Sequence, residues 1–166
     1  MILRTAQTPR PRPVQPSRAG FTLVEIMIVV VIIGLLVTMG IPAFQKARVA
    51  SQNQRFINDL RTISNALETY ALQEGLWPDE AGAGVVPTGL GDYLPRGFDW
   101  SAKNTLGGDW DYEYGQGSIL AAIGTTNVEM RDADGMTAID EDIDDGDLST
   151  GAFRQNGDAY VYVLEL

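Results

Sequence analysis

The longest apolar run lies near the start of the chain. Nineteen uncharged residues extend from Ile26 to Phe44. At a helical rise of about 1.5 Å per residue they would span about 28 Å, close to the thickness of one hydrocarbon core. The pattern therefore predicts a transmembrane helix. A single carboxylate, that of Glu25, lies directly before this run, where an unpaired charge is costly.

The helical pattern continues beyond the apolar run and becomes one-sided. Apolar residues recur at steps of three and four, which indicates a helix with one apolar face. These positions are Phe56, Ile57, Leu60, Ile63, Leu67, Tyr70 and Ala71. Gly75 is a stop signal, and Pro78 follows it. We therefore predict one helix of about 80 Å from Phe21 to Gln73, apolar all round in front and amphipathic at the rear.

Pro42 lies inside this predicted helix, close to Gly40. A proline removes one backbone hydrogen bond and crowds the preceding turn, so we expect a kink or a locally loosened turn. Proline is also tolerated in membrane helices without a special role. A hinge that lets the helix stretch during assembly and a merely tolerated proline therefore both remain open.

The C-terminal part shows the period-two patterns of short strands. Residues 109–115 alternate aromatic and acidic side chains, and residues 117–127 form a second candidate strand. Residues 151–166 predict a hairpin whose two-residue turn is Asn156-Gly157. The fold class is therefore α+β, with the amphipathic part of the long helix packed on a small antiparallel sheet.

A short helix is predicted between the two pairs of strands, in residues 136–146. Thr137 and Asp140 are the predicted cap, Ile139 and Ile143 share a face, and Gly146 ends the helix.

Residues 76–108 are rich in glycine and proline and predict a connection with little regular structure. Apolar side chains should pin it to the body: Trp77, Tyr93, Leu94, Phe98 and Trp100. A second set of aromatic residues could instead form a binding platform, although packing in the core and sheet is the favoured interpretation. That set is Trp77, Trp100, Trp110, Tyr112 and Tyr114.

Charge divides the chain into a basic head and an acidic body. The 166 residues carry a net charge of −10 and contain neither cysteine nor histidine. This composition excludes disulfides, thiolate or imidazole metal sites and any Ser-His or Cys-His catalytic pair. Four arginines and no acid precede residue 21, whereas residues 76–166 hold 18 acids and 4 bases. An acidic body argues against nucleic acid as a partner.

The six residues Gly20-Phe21-Thr22-Leu23-Val24-Glu25 follow a basic leader and precede the apolar run. This arrangement resembles the signal of type IV pilin-like proteins, and most of all the pseudopilins of type II secretion systems. The resemblance implies that a prepilin peptidase cuts between Gly20 and Phe21 and then methylates the new N-terminus at Phe21. It also gives Glu25 the position of the family's assembly glutamate and Pro42 that of its helix-loosening proline. Residues 106–114 add a weaker similarity to the pseudopilin sheet.

Glu25 has two possible partners. It can pair with the Phe21 amine of a neighbouring subunit, which would favour staggered helix packing, or it can satisfy the amine of its own chain. A simpler interpretation is an acid favoured by the dipole in the first turn of a helix.

An acidic run between residues 140 and 147 suggests calcium, because hard cations prefer carboxylate oxygens. The candidate ligands are Asp140, Asp142, Asp144, Asp145 and Asp147. The resemblance implies calcium in this part of major secretion pseudopilins. Counted from Asp140, the run fails as an EF-hand loop. Position 6 requires glycine but is Asp145, and position 12 requires glutamate but is Gly151. Charge runs are usually solvated faces, so we expect no cofactor and keep calcium as the alternative.

These observations favour three segments: a cleaved leader at 1–20, a long helix at 21–75 with its transmembrane part at 21–44, and an acidic periplasmic body at 76–166. The resemblance implies a structural, non-enzymatic subunit of a secretion pseudopilus, anchored once in the bacterial inner membrane with its leader cytoplasmic. Expected partners are the prepilin peptidase, further copies or related pseudopilins, and the secretion assembly platform. A type IV pilin of an extracellular fibre is the first alternative. A membrane-anchored or secreted enzyme is the second, although the apolar run is long for a signal peptide.

Overall fold

The computed structural model describes residues 20–129 and 132–166, so the predicted leader lies outside the described residues except for Gly20. The helices and strands in chain order are α1 (Leu23–Glu74), β1 (Asp109–Gln116), β2 (Ile119–Thr126), α2 (Ala133–Ile143), β3 (Phe153–Asn156) and β4 (Ala159–Glu165). A short 3₁₀ turn, Leu90–Asp92, is the one further helical element among the described residues. The predicted α+β class is confirmed.

Helix α1 has 52 residues and runs without interruption through Pro42. Its buried residues all lie in the rear half and follow the predicted face: Asn53, Phe56, Ile57, Leu60, Ile63, Ser64, Ala66 and Leu67. Gly75 follows the last turn with a left-handed φ of 78°, and its N–H donates to Ala71 O at 2.9 Å. The predicted bounds and stop signal of this helix are therefore confirmed to within two residues.

The four strands form one antiparallel sheet in the order β1-β2-β4-β3. Trp110, Tyr112 and Tyr114 of β1 pack on the same core as α1, so the alternate residues of that strand lie on the opposite face. The connection before the sheet covers the outer edge of β1, where Ala81 forms a bridge with Tyr112 and Gly84 N donates to Trp110 O at 2.7 Å. A covered edge cannot recruit another strand.

The core lies between the rear half of α1 and the sheet. Phe56 stacks on Trp110 with ring centroids 5.4 Å apart and meets the edge of Phe153 at 6.4 Å. The aromatic residues of the connection pack against this core as predicted, with Trp100 buried and Trp77 half-buried. The predicted packing role of the aromatic side chains is thereby confirmed.

Two local predictions were wrong by a few residues. The turn between β3 and β4 is Gly157-Asp158, because Asn156 pairs with Ala159 and still belongs to the strand. Gly157 alone of these two turn residues has a positive φ, 60°, which is the signature of a type II′ turn.

Helix α2 begins at Ala133, before the predicted residues 136–146, and ends at Ile143. Its cap is Asp132, whose side chain accepts from Gly135 N at 3.0 Å. Thr137 is not the cap; its hydroxyl donates to Ala133 O inside the helix. Gly146, with a φ of 79°, lies three residues beyond the last helical residue.

The chain divides into two compact units, the first ending at Ala43 and the second comprising Phe44–Leu166. The first unit contains the front of α1, which is long and apolar enough to cross a membrane and has none of its apolar stretch buried. The second unit contains the rear of α1 and the sheet. The boundary follows Pro42 by one residue.

Candidate functional site

The start of α1 is closed by a reciprocal cap between Thr22 and Glu25. Glu25 Oε2 accepts from Thr22 N at 2.8 Å and from Thr22 Oγ1 at 2.9 Å, and Thr22 Oγ1 accepts from Glu25 N at 3.2 Å. This is a capping box, which satisfies backbone N–H groups that a helix start leaves free. Glu25 therefore stabilises the start of its own helix, and its role in assembly stays a prediction.

The residues around the predicted cleavage position are accessible. Gly20 is exposed, and Phe21 is 84% exposed and lies outside the first helical turn. Among the described residues, apart from Gly20 and its chain neighbour, no atom lies within 4 Å of the position where a side chain at Gly20 would begin. A peptidase needs an accessible, extended chain, and this arrangement fits that requirement.

Pro42 leaves one carbonyl of α1 without its usual donor. Because proline has no N–H, the carbonyl of Thr38, four residues earlier, receives no helical hydrogen bond from it. The Thr38 hydroxyl donates to Leu35 O at 2.7 Å. A hinge at Pro42 stays a prediction.

The end of α2 brings together three of the five predicted cation ligands. Carboxylate oxygens of Asp140, Asp144 and Asp145 lie within 4.8 Å of one another. Asp140 is fully buried, and neither of its carboxylate oxygens has a hydrogen-bond partner. A buried carboxylate without a partner is costly, so a cation that met these oxygens would be bound favourably.

The environment of Asp140 disfavours its charged form. Burial raises the pKa of this carboxyl group above its usual value, and the nearby carboxylates of Asp145 and Asp144 raise it further. The backbone N–H of Gly146 opposes this rise, but it makes no well-formed hydrogen bond to the carboxylate. A divalent cation would favour the charged form of Asp140, because its positive charge would offset the repulsion between the three carboxylates.

The other two predicted ligands have different partners. Asp142 points towards α1, where its Oδ2 accepts from Gln54 Nε2 at 2.9 Å. Asp147 Oδ1 accepts from the backbone N and the hydroxyl of Ser149, at 3.0 and 2.6 Å. The residues that follow α2 also shape the cluster, since Asp144 Oδ2 accepts from Ala152 N and Asp145 Oδ2 accepts from Thr150 Oγ1 at 3.1 Å.

A second group of carboxylates lies on the face of β1 that points away from α1. Burial raises the pKa of Asp111 to about 6, with further contributions from Glu113, Glu80 and Asp109. Burial also raises the pKa of Glu113, although a hydrogen bond from Asn156 Nδ2 at 2.7 Å lowers it. At neutral pH, burial and mutual repulsion therefore disfavour the charged forms of Asp111 and Glu113.

Sequence reasoning missed the role of Thr22 and the special position of Asp140. The first could have been found, because Thr22-Leu23-Val24-Glu25 has the spacing of a capping box. The position of Asp140 could not be found from the sequence, because it lies in a run of acidic residues. Only its burial, next to the buried Ile139, distinguishes Asp140 from the other carboxylates.

Comparisons with known proteins agree with this arrangement. The family described as "Prokaryotic N-terminal methylation motif" matches residues 15–41. Fimbrial protein EcpC of Eikenella corrodens is 34% identical over 115 residues, which cover 65% of this chain and 75% of the relative. Type II secretion system core protein G of Dickeya chrysanthemi is 29% identical over 144 residues, 83% of this chain and 92% of the relative. No solved structure gives a significant match.

The match to a type IV major pilin is shorter. Type IV major pilin protein PilE1 of Neisseria gonorrhoeae is 38% identical over 66 residues, 40% of this chain and 31% of the relative. With the N-terminal motif, the long apolar helix and the small sheet, these similarities show that the chain belongs to the type IV pilin-like family of pilins and pseudopilins. The resemblance seen in the sequence is thereby confirmed.

Proposed function

We propose that this protein is a structural pseudopilin subunit, which assembles through α1 into a type II secretion pseudopilus and supports protein export. The observation that carries the proposal is the joined architecture of a bare apolar helix and a small packed body. None of the apolar stretch of α1 is buried within the described structure, whereas side chains of the rear half of the same helix are buried in the core of the body. An apolar surface of this kind is stable in a membrane or against other helices.

Processing precedes assembly in this proposal. A prepilin peptidase removes residues 1–20 and methylates Phe21, so that the mature chain begins two residues before α1. The mature chain is anchored once in the inner membrane by residues 21–44, and the body at 76–166 lies in the periplasm. The exposed Gly20-Phe21 segment and the match to the methylation motif support this order of events.

Assembly adds a second role for Glu25. In a packed filament its carboxylate pairs with the Phe21 amine of a neighbouring copy, and Thr22 keeps the helix start closed. Both charges are costly in an apolar layer, so pairing them offsets two unfavourable terms at once. The subunit then works as part of a scaffold or piston, docked on the secretion assembly platform, and performs no chemistry of its own.

A pilin that forms an extracellular fibre is the second candidate. The pseudopilin is favoured because the similarity to core protein G of Dickeya chrysanthemi extends over 83% of this chain, whereas the similarity to fimbrial protein EcpC extends over 65% of it.

A deletion strain separates the two functions. We expect loss of the gene to abolish export of secreted enzymes and to leave surface fibres unchanged, with recovery when the wild-type gene is restored. Loss of fibres with normal export would contradict the pseudopilin and favour the pilin. Expressing the chain with its front helix replaced by an ordinary cleavable signal is the matched control, which should fold but not restore export.

Calcium binding at the end of α2 is a further part of the proposal. The proposed ligands are Asp140, Asp144 and Asp145, and support comes from their carboxylate oxygens, which lie within 4.8 Å of one another, and from the buried carboxylate of Asp140, which has no hydrogen-bond partner. Bound calcium would fasten the end of α2 to the segment that leads into β3, because Asp144 also accepts from Ala152 N. Asp142 and Asp147 are not assigned to the site.

Thermal unfolding with and without millimolar calcium tests this site. We expect calcium to raise the melting temperature of the wild type by several degrees and to have little effect on Asp140→Asn. Asp142→Asn is the matched control, since its carboxylate binds Gln54 instead, and it should keep the calcium response. An unchanged wild-type melting temperature would remove calcium from the proposal.

A further inference from the structure

The rear half of α1 presents four cations that form no salt bridge with the described residues. These exposed residues are Lys46, Arg48, Arg55 and Arg61. In the described ranges, 20–129 and 132–166, the one salt bridge joins Lys103 to Asp109 at 2.8 Å. None of the four α1 cations therefore has a described carboxylate within 4.0 Å.

Arg48 and Arg55 lie on the same side of α1. They are seven residues apart, which corresponds to two helical turns and a separation along the axis of about 10.5 Å. Asp59, one turn after Arg55, is half-buried and is the one acidic residue between Arg48 and Arg61. This part of α1 is therefore a basic strip.

Helix α2 presents acidic residues with the same spacing. Asp134 and Glu141 are exposed and seven residues apart, and they lie on the side of α2 away from the buried Met136 and Ile139. Neither belongs to the calcium cluster. Asp134 and Glu141 thus form an acidic strip whose two charges match the separation of Arg48 and Arg55.

The two strips are not paired with each other within one copy, since the one salt bridge of the described residues joins Lys103 to Asp109. Helix α2 contacts α1 on the side of Gln54, whose amide donates to Asp142. Arg55 follows Gln54 by one residue and is therefore turned by about 100° around the α1 axis. One copy can consequently use both strips at the same time, which is the requirement for a head-to-tail contact that repeats along a filament.

We propose that the basic strip Arg48/Arg55 of one copy binds the acidic strip Asp134/Glu141 of a neighbouring copy. This inference rests on the proposed assembly into a filament and adds a contact between bodies to the packing of the apolar helices. The contact fixes which neighbour a body meets, because complementary charges suppress like-charge juxtapositions. Anionic lipid headgroups are the competing ligand for the arginines, but they would leave the matched acidic strip without a use.

A charge swap in the full-length chain tests the contact. The readout is the fraction of subunit that sediments as filament from lysed cells, with membrane-extracted subunit as the reference. We expect R48E/R55E and D134R/E141R each to lower the filament yield about fivefold, and the combined four-residue swap to restore it. Arg96→Glu, in an exposed loop outside both strips, is the matched control and should leave the yield unchanged.

The absence of native cysteine allows a direct measurement of the same contact. Arg48→Cys in one tagged copy and Glu141→Cys or Asp134→Cys in another should form a mixed disulfide in filaments. The inference would be overturned if the wild type forms filaments, the cysteine variants form no mixed disulfide and the charge reversals do not change the filament yield. That result would leave the proposed function intact. Reversal that weakens binding to anionic vesicles, without rescue by the swap, would also overturn it in favour of lipid. Failure of the wild type to assemble at all would count against the proposed function itself.

Discussion

Glu25 serves the isolated chain as well as the proposed filament. Its side chain closes the first turn of α1 through Thr22, with contacts of 2.8 and 2.9 Å. Thr22 and Glu25 both remain after removal of residues 1–20, so the cap and the pairing with an incoming amine are compatible. The two roles depend on different properties, because the cap needs a hydrogen-bond acceptor and the pairing needs a negative charge.

Substitutions can separate these two properties. Glu25→Gln keeps an acceptor at the third helical position but removes the charge, so we expect a processed subunit that does not assemble. Thr22→Ala removes the cap and keeps the charge, at a cost of about 1 kcal/mol in helix stability, and should still assemble. The yield of filament sedimented from lysed cells, normalised to processed subunit, is the measurement. Wild-type filament yield from Glu25→Gln would contradict the pairing.

Asp111 makes the stability of the body depend on pH. Its pKa is raised to about 6 in the folded chain, from an ordinary value of 3.8. The folded state therefore holds a proton more tightly than the unfolded state, and the stability this provides is lost as the pH rises through 6. We expect Asp111→Asn to stabilise the body by about 1–2 kcal/mol at pH 7.5 and to have no effect near pH 3.5.

Chemical unfolding at the two pH values measures this difference. Asp158→Asn is the control, since Asp158 lies exposed in the β3–β4 turn. An Asp111→Asn effect that does not change between the two pH values would contradict the raised pKa of Asp111 in the folded chain.

At the scale of elements, periodicity predicted α1 well because its two halves follow simple rules. The front half lacks charges altogether, and the rear half repeats apolar residues at steps that survive in the structure as the buried face from Asn53 to Leu67. The strands were also predictable, since β1 alternates core aromatics with acids. Strand order was not, because β4 inserts between β2 and β3 through contacts far apart in sequence.

Boundaries failed where two local signals competed. Asn156-Gly157 has the composition of a type I′ turn, yet the ladder to Ala159 keeps Asn156 in β3 and moves the turn one residue on. The spacing of Thr137 and Asp140 resembles a helix cap. The N-cap of α2 is instead Asp132, which accepts a hydrogen bond from Gly135 N. The grouping of Asp140 with Asp144 and Asp145 likewise depends on burial, which an unbroken acidic run does not reveal.

Phe56 tests how α1 holds the sheet. It is fully buried, stacks on Trp110 and meets the edge of Phe153, so it joins the helix to both outer strands of the sheet. We expect Phe56→Ala to reduce the free energy of unfolding of the body by about 3–5 kcal/mol, measured by chemical denaturation in detergent.

Phe44→Ala is the control for this prediction, because it makes the same chemical change on the same helix at a residue that is 72% exposed. It should leave the free energy of unfolding of the body nearly unchanged. Equal effects of the two substitutions would mean that the helix does not carry the core.

At the scale of the whole molecule, charge and apolar surface are segregated along the chain. In the proposed topology, the basic leader suits the cytoplasm, the apolar front of α1 suits the membrane and the acidic body suits the periplasm. Within the described residues, the apolar front of α1 is not buried and the basic strip forms no salt bridge. A membrane or neighbouring helices would cover the first, and the proposed contact between copies would pair the second.

The central claim, that the chain is a processed pilin-like subunit, is tested most directly by its mature N-terminus. Intact-mass and peptide mass spectrometry of protein extracted from membranes should show a chain that begins at Phe21 with an N-methyl group, and this form should disappear in a strain without prepilin peptidase. A mature chain beginning at residue 41 or later, or one that retains residues 1–20 in the presence of the peptidase, would contradict the account.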